Sequence, residues 1–467
     1  MLFNSLDFVF FLPIVIILYY LIPQRFRWVM LLGASYYFYM CWRWEYIFLI
    51  ILSTLVDYWA GIKMHEQPTK KGKRKYLFAS LGVNLGLLFF FKYLNFFTEN
   101  TGLFLREINI FYEFKYYDIL LPVGISFYTF QTLSYTIDIY QGKAEPERHL
   151  GYFALYVSYF PQLVAGPIER STRLLPQIKQ HQTVTTEDVK YAVNKILLGF
   201  FKKLVIADSL ALYVNLAYNN YEGSTGTQLY MASFFFGAQL FADFSGYTDI
   251  AMGSARLMGV RLMENFNRPY WVSNMSEYWS RWHISLTSWI RDYLFVPIVK
   301  RSSSKLYAAF SSIFVLVIIG FWHGAEWTYV MFGFTNGIVL VVQTGIKDLP
   351  FFARLREFFF YEKVVLPLLN LNWLILMVVY FRSVDMKQAN LIHKKIFTEP
   401  HFGIQEFFSL YKFEFYTAAF VMFLLLATVA FNRELKFKYN WLYVCTMISI
   451  IIFFGQDLSN QFVYFQF

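Results

Sequence analysis

Two histidines in this 467-residue chain sit where an imidazole would have chemistry to do. His323 closes the 17-residue apolar run Leu306 to Trp322, with Gly320 and Gly324 on either side. A neutral imidazole can take a proton from a hydroxyl and later return one. Ionisable groups at membrane depth are expensive, so such a residue is read as functional by default. The glycines let another backbone or a ligand come close. A histidine hydrogen-bonded in the core or at a lipid interface is the other reading of the same position. His283 lies in the aromatic and basic stretch from Tyr278 to Tyr293. Read as one helix, that stretch puts Trp279, Trp282 and Trp289 near one stripe, with Arg281, Ser285 and Ser288 on others. An interfacial helix anchored by its tryptophans fits the same pattern. A metal pair has no support: there is no HExxH pattern, and the chain's two cysteines, Cys41 and Cys445, offer no ligand set.

Other polar residues interrupt apolar surroundings. Asp138, Asp243 and Asp249 lie near apolar runs, and each is expected to pair with an arginine such as Arg256 or Arg291 in a structural ion pair. The segments Gly124 to Gln131 and Pro161 to Glu169 are small and polar in apolar context. They suit either a cavity lining or a helix-packing face. No Gly-rich phosphate loop, Walker motif or GxSxG elbow is present, so the chain itself is not expected to drive transport with ATP.

These residues need a scaffold, and the composition says which kind. Hydrophobic residues make up 57% of the chain, aromatic ones 22% and charged ones only 15%. Soluble domains carry about 25% charged residues, so this chain lacks the polar skin to cover itself. Disorder is excluded by the same excess of apolar material. Leu2 to Ile22 is apolar but has Asp7 where a secretory signal would be basic, and it reads as a retained first span. Further runs cover 28–42, 46–62, 76–97, 119–140, 152–164, 192–213, 229–240, 306–322, 327–342, 364–381, 415–431 and 441–454. A crossing helix needs about 20 apolar residues, so the shorter runs suit half-spanning or buried helices. About ten to twelve crossings are expected on this length rule. Helices are expected throughout, because the runs lack the alternation of barrel strands.

The net charge is +10, from 41 basic and 31 acidic residues. Cytoplasmic loops of membrane proteins collect Lys and Arg, which explains the excess without nucleic acid. The densest basic cluster, Lys70 to Lys75, is therefore expected in the cytoplasm. Counting back three spans places Arg25 and Arg27 inside and the N-terminus outside. Arg301, Lys305, Arg433, Lys436 and Lys438 are weaker markers.

The polar segments, taken in order, resemble a known family. Trp282-His283-Ile-Ser-Leu-Thr-Ser-Trp289-Ile-Arg291-Asp292-Tyr293, followed by Phe321-Trp322-His323-Gly324-Ala-Glu-Trp327, looks like the membrane-bound O-acyltransferase (MBOAT) family, in its alginate O-acetyltransferase inner-membrane branch. Pro122 to Gln131, Gln162 to Arg170, Asp243 to Ala251 and the closing Phe462 to Phe467 support the match, which runs almost end to end. The resemblance implies an all-α polytopic membrane protein, with re-entrant or interfacial helices and a ring of helices around a central tunnel. It implies one integral-membrane domain over 1–467, with N-terminal helices in 1–230, a catalytic core in 231–345 and C-terminal helices in 346–467.

The same resemblance implies acyl transfer to a hydroxyl across the membrane. His323 matches the family's essential histidine and His283 a second functional one. Trp282, Ser285, Arg291, Asp292, Trp322, Asp243, Tyr247 and Asn336 are the candidates for lining the substrate path. The implied donor is acetyl-CoA from the cytoplasm, with no cofactor held permanently and no metal. The implied setting is a bacterial inner membrane, among lipids. The implied partners are a periplasmic or surface-anchored SGNH-like acetyltransferase and an exported polysaccharide. Two departures stand out. Pro297-Ile-Val-Lys300 replaces a Pro-Leu-Gly-Gly-type turn. Phe332-Gly333-Phe334-Thr335-Asn336-Gly337 replaces a Trp-Gly-x-x-His-Gly pattern, and Asn336 cannot act as a base. A transporter or flippase for a polysaccharide or lipid-linked sugar explains the spans and acids but not two histidines in aromatic settings. A non-catalytic scaffold would tolerate loss of both.

Overall fold

The architecture comes from a computed structural model that describes residues 1–112, 114–399, 412–431, 440–456 and Phe462. Val463 to Phe467 of the closing motif, and the basic markers Arg433, Lys436 and Lys438, lie outside the described residues. Among the described residues every regular element is a helix. Among the described residues five helical segments are long and apolar enough to cross a membrane: Trp44–His65, Lys70–Glu107, Lys305–His323, Trp327–Ile346 and Tyr361–Arg382. Leu6–Leu21 and Trp441–Phe454 are shorter apolar helices. Side-chain caps start several helices where the sequence offers them. Ser5, Thr69, Ser304, Asn274 and Asp385 accept from the backbone N–H of Phe8, Gly72, Tyr307, Glu277 and Gln388. Each satisfies a donor that the first turn leaves open.

The chain divides into two compact units. The first comprises residues 1–192 and 251–263. It holds α1 (Leu6–Leu21), α2 (Gln24–Met40), α3 (Ile47–His65), α4 (Lys70–Leu88), α5 (Leu94–Glu107), α6 (Ile125–Gln141), α7 (Leu150–Ser158), α8 (Phe160–Leu163) and α9 (Ser171–Lys179). Helices α3, α4 and α6 pack around a buried polar knot: Asn84 Nδ2 donates to both Asp57 oxygens at 3.0 and 2.9 Å, and Ser80 Oγ donates to Oδ1 at 2.6 Å. Between membrane helices such bonds fasten one element to the next. The apolar run from Ile119 becomes helical only at Ile125. Gly124 adopts φ +80° there, and a Cβ on it would meet the Leu163 carbonyl oxygen at 2.9 Å. The chain must turn at that point in a conformation that glycine alone takes without strain.

The second unit comprises residues 193–250 and 264–467. Helix α10 (Thr186–Phe200) runs through a wide turn, Phe201–Ala207, into α11 (Asp208–Asn219), and the 32-residue α12 (Gly226–Leu257) follows. Two short helices come next, α13 (Met275–Arg281) and α14 (Ile284–Ile290), then α15 (Val296–Val299). Helices α16 (Lys305–His323) and α17 (Trp327–Ile346) form an antiparallel hairpin, followed by α18 (Pro350–Arg356), α19 (Leu366–Arg382), α20 (Met386–Thr398), α21 (Lys412–Phe431) and α22 (Asn440–Phe454). A Cβ on Gly320 would lie 2.1 Å from the Tyr329 carbonyl oxygen, and one on Gly333 would lie 2.2 Å from that of Leu316. Gly320 and Gly333 therefore serve backbone-to-backbone packing of α16 on α17, whereas Gly324 makes room for the Tyr329 ring, which a Cβ there would meet at 2.1 Å.

Two expectations need correcting. Tyr278 to Tyr293 is not one helix: it breaks at His283, whose backbone is left-handed at φ 44°, ψ 54°. The three tryptophans thus do not form a single helical stripe. Asp243 and Asp249 pair with lysines rather than arginines. Asp243 binds Lys203, and Asp249 binds Lys195 and Lys202. Arg256 instead binds Asp188, and Arg291 pairs with its neighbour Asp292. A wide turn at Phe201–Ala207 rotates the lysines toward α12, an arrangement that regular 3.6-residue spacing does not anticipate.

Candidate active site

His323 is the last residue of α16, held where the hairpin turns at Gly324. It is 5% exposed and lines a cavity of about 370 Å³ within the second unit. That volume falls in the range of small-molecule sites, roughly 300–1,000 Å³. Its walls come from α12, the Arg268–Trp271 loop, α13, α17, α19 and α21, and they are largely aromatic and aliphatic. Trp279, Trp282, Phe332 and Phe381 stand among them. The Phe381 ring meets the His323 imidazole edge-on at 5.1 Å. Trp282 is stacked on Tyr278 at 5.7 Å and braced by Phe266 at 5.0 Å. Walls of this kind exclude water and strengthen any proton transfer inside them.

His283 is 1% exposed and is not among the lining residues. Its ring meets Phe244 edge-on at 4.8 Å. Trp322 touches both imidazoles, with its ring 5.9 Å from His283 and 5.0 Å from His323. The two histidines thus pack against one indole. Burial drives the His283 pKa down to about 3, which keeps the imidazole neutral. Its left-handed backbone is fixed by Asn265. The carbonyl of Asn265 accepts from Ile284 N at 2.9 Å, and its side-chain Oδ1 accepts from Ser285 N at 3.2 Å. Asn265 so caps α14 from another segment, in place of His283, which makes no side-chain capping bond.

The remaining candidates separate into groups. Trp282 reaches the cavity, whereas Trp322 lies behind it. Ser285 is buried in the first turn of α14, its N–H donating to Asn265 Oδ1. Asp243 is buried with Lys203, which also binds Asp208, and Tyr247 packs edge-on against Phe462 at 5.0 Å. Arg291 and Asp292 are exposed and pair with each other at 2.9 Å. Asn336 is fully buried and joins α17 to α19, accepting from Trp373 Nε1 at 3.3 Å. No group of three or more His, Cys, Asp or Glu suited to a metal occurs among the described residues.

Residues absent from the sequence-derived set complete the cavity. Phe381, Val378, Ile375, Leu374 and Leu371 form one face of α19. Their spacing is helical, but any buried membrane helix shows such spacing, so the signal did not single them out. Arg268 carries a cation at the cavity wall, has a left-handed φ of 48° and is exposed alongside Trp271. A basic residue followed by Pro-Tyr-Trp in an aromatic segment was the available cue.

Comparison with known proteins places the chain in a family. The sequence pattern of the MBOAT, membrane-bound O-acyltransferase family, matches residues 148–384. The probable alginate O-acetylase AlgI of Azotobacter vinelandii is 37% identical over 349 residues, which is 74% of this chain and 69% of that protein. The peptidoglycan O-acetyltransferase of Helicobacter pylori is 31% identical over 423 residues, 83% of this chain and 78% of that protein. The teichoic acid D-alanyltransferase of Bacillus subtilis is 30% identical over 238 residues, 48% of this chain and 59% of that protein.

Proposed function

The chain belongs to the MBOAT family and is a multi-pass membrane acyltransferase, and from that premise we propose that it moves acetyl groups from a cytoplasmic thioester to an exported or cell-surface polysaccharide. The observation that carries the reading is the placing of His323 on a largely aromatic and aliphatic cavity of about 370 Å³, with room for an acetyl group and a hydroxyl. Relatives named for alginate and peptidoglycan O-acetylation supply the acyl group and the class of acceptor. Acetyl-CoA is the proposed donor. Bacterial inner membrane is the proposed location, with the N-terminus outside. An SGNH-like enzyme on the far side is the proposed partner, receiving the acetyl group or passing it to the polymer.

In this mechanism the imidazole of His323 accepts the proton of the incoming hydroxyl as its oxygen attacks the thioester carbonyl carbon. The carbon–sulfur bond then breaks, and the imidazolium returns its proton to the departing thiolate. General-base assistance of this kind is worth roughly 10²–10⁴-fold. His283, neutral and outside the cavity, acts through Trp322 as a positioning residue. The aromatic walls keep water from the thioester.

The test uses purified full-length protein with labelled acetyl-CoA and a polysaccharide or SGNH-type acceptor. His323→Ala is expected to lose acetyl transfer by roughly 10²-fold or more, with fold and expression retained. Full transfer by His323→Ala overturns the assignment. A transporter in place of an acyltransferase would pass no labelled acetyl group to the acceptor while still moving its cargo.

A further inference from the structure

The first unit contains a second cavity, of about 510 Å³, that the acyl-transfer reading does not use. It lies where the turn between α1 and α2 meets α9 and the chain that follows α9. Its character is the opposite of the His323 cavity. Arg25, Arg27, Lys179 and His181 line it, and no acidic side chain does. Lys179 is bound to Glu147 at 2.8 Å, but Arg25, Arg27 and His181 make no ion pair among the described residues. Arg27 is partly held: its Nε donates to the Ile22 carbonyl at 3.3 Å, and the guanidinium lies 4.6 Å from the Tyr19 ring.

The pocket is built rather than incidental. Trp28 forms a wall by lying against Gly151, where a Cβ would come within 2.1 Å of the indole. Any larger residue there would displace the ring. Gln177 fixes another wall, with Oε1 accepting from Arg261 N at 2.8 Å and Nε2 donating to Arg261 O at 3.2 Å. Arg25 and Arg27, two cations with no ion-pair partner among the described residues, repel one another, which a multiply charged anion relieves. Arginine forks match phosphate oxygens especially well, and the volume exceeds what a lone phosphate fills.

We propose that this pocket binds the phosphate-bearing end of an anionic ligand, with Arg25, Arg27 and His181 on the phosphate oxygens. Two sources present that chemistry: a soluble nucleotide, or the headgroup of an anionic phospholipid. The proposal stands independently of the role of His323.

Purified full-length protein in phosphatidylcholine nanodiscs separates the sources. Adenosine 3′,5′-bisphosphate, titrated by calorimetry, probes the nucleotide. Phosphatidylglycerol retention, followed by native mass spectrometry, probes the lipid. Arg25→Gln combined with His181→Gln, and separately Arg27→Gln, are expected to weaken one probe by at least about fivefold. Higher salt should weaken it in the same sense. Loss on the nucleotide arm alone assigns a nucleotide, and loss on the lipid arm alone assigns a lipid. Arg25→Lys, which keeps the charge but not the fork, should bind more weakly than the wild type and more tightly than the charge-removed double variant. His323→Ala should bind the responding probe as the wild type does, so a failed acyl-transfer reading leaves this result untouched. If neither probe binds, or if the charge-removing variants bind both as well as the wild type, the proposal is wrong.

Discussion

At the scale of residues, His283 shows how much one backbone angle can depend on a distant side chain. A left-handed conformation is costly for any residue with a Cβ, and it persists only where the surroundings enforce it. Here Asn265 supplies both bonds that start α14. Asn265→Ala is expected to cost about 1 kcal/mol, the usual worth of a capping side chain. It should also reduce acetyl transfer, because His283 and Trp322 lose their fixed relation. Thermal unfolding in detergent alongside the acetylation assay checks both effects. An Asn265→Ala protein of wild-type stability and rate would show that the clamp is dispensable. Nothing in the sequence marked Asn265 above its neighbours Glu264 and Asn267, since its role depends on a contact 20 positions along the chain.

At the scale of elements, close helix approach explains the polar content of the second unit. A Cβ on Gly199 would come 2.6 Å from the Gly246 carbonyl oxygen, and one on Gly246 would come 2.8 Å from that of Gly199. That contact brings the turn after α10 onto α12, where Lys203 bridges Asp208 at 2.8 Å and Asp243 at 3.0 Å. Removing one partner from a buried charge set leaves an uncompensated charge, at about 3–5 kcal/mol. Lys203→Met should therefore destabilise the protein strongly. Lys203→Met with Asp243→Asn and Asp208→Asn should recover most of that loss, read by thermal unfolding. Equal damage in the single and triple variants would point to a role for the lysine beyond charge balance. The helices themselves were legible from their apolar runs. The lysine partners were not, because wide turns alter the residue spacing.

At the scale of the whole molecule, the chain leaves the first unit after Ala192 and returns to it for residues 251–263. Glu169 helps fasten that returning segment: its Oε1 accepts from Met263 N, and Arg173 lies 3.6 Å away. Burial pushes the Glu169 carboxyl up to about 7, against the opposing pull of Arg173, the Met263 amide and Arg170. The folded protein then holds a proton that the unfolded chain has already released near the ordinary carboxyl value of 4.5. By linkage, this group's contribution is fully present below that value and is lost as pH rises through about 7. Glu169→Gln should flatten the fall in thermal stability across that window. An unchanged pH profile in the variant would mean that the carboxyl titrates normally.

The sequence by itself determined the class of molecule and singled out two histidines as candidates. Apolar run length and scarce charge demand helices that satisfy their own backbone bonds in lipid, and the ordered histidine motifs mark a particular chemistry. Only the tertiary structure decided that Trp282 faces the cavity while Trp322 lies behind it, that Arg291 and Asp292 are exposed, and that Phe381 stands against His323. It also gathered Arg25, Arg27 and His181 around one pocket. The reason is physical. Run length and charge are properties of consecutive residues, whereas a cavity wall is made by residues that chain folding brings together from distant positions, and in lipid most apolar helix faces look alike until packing chooses among them.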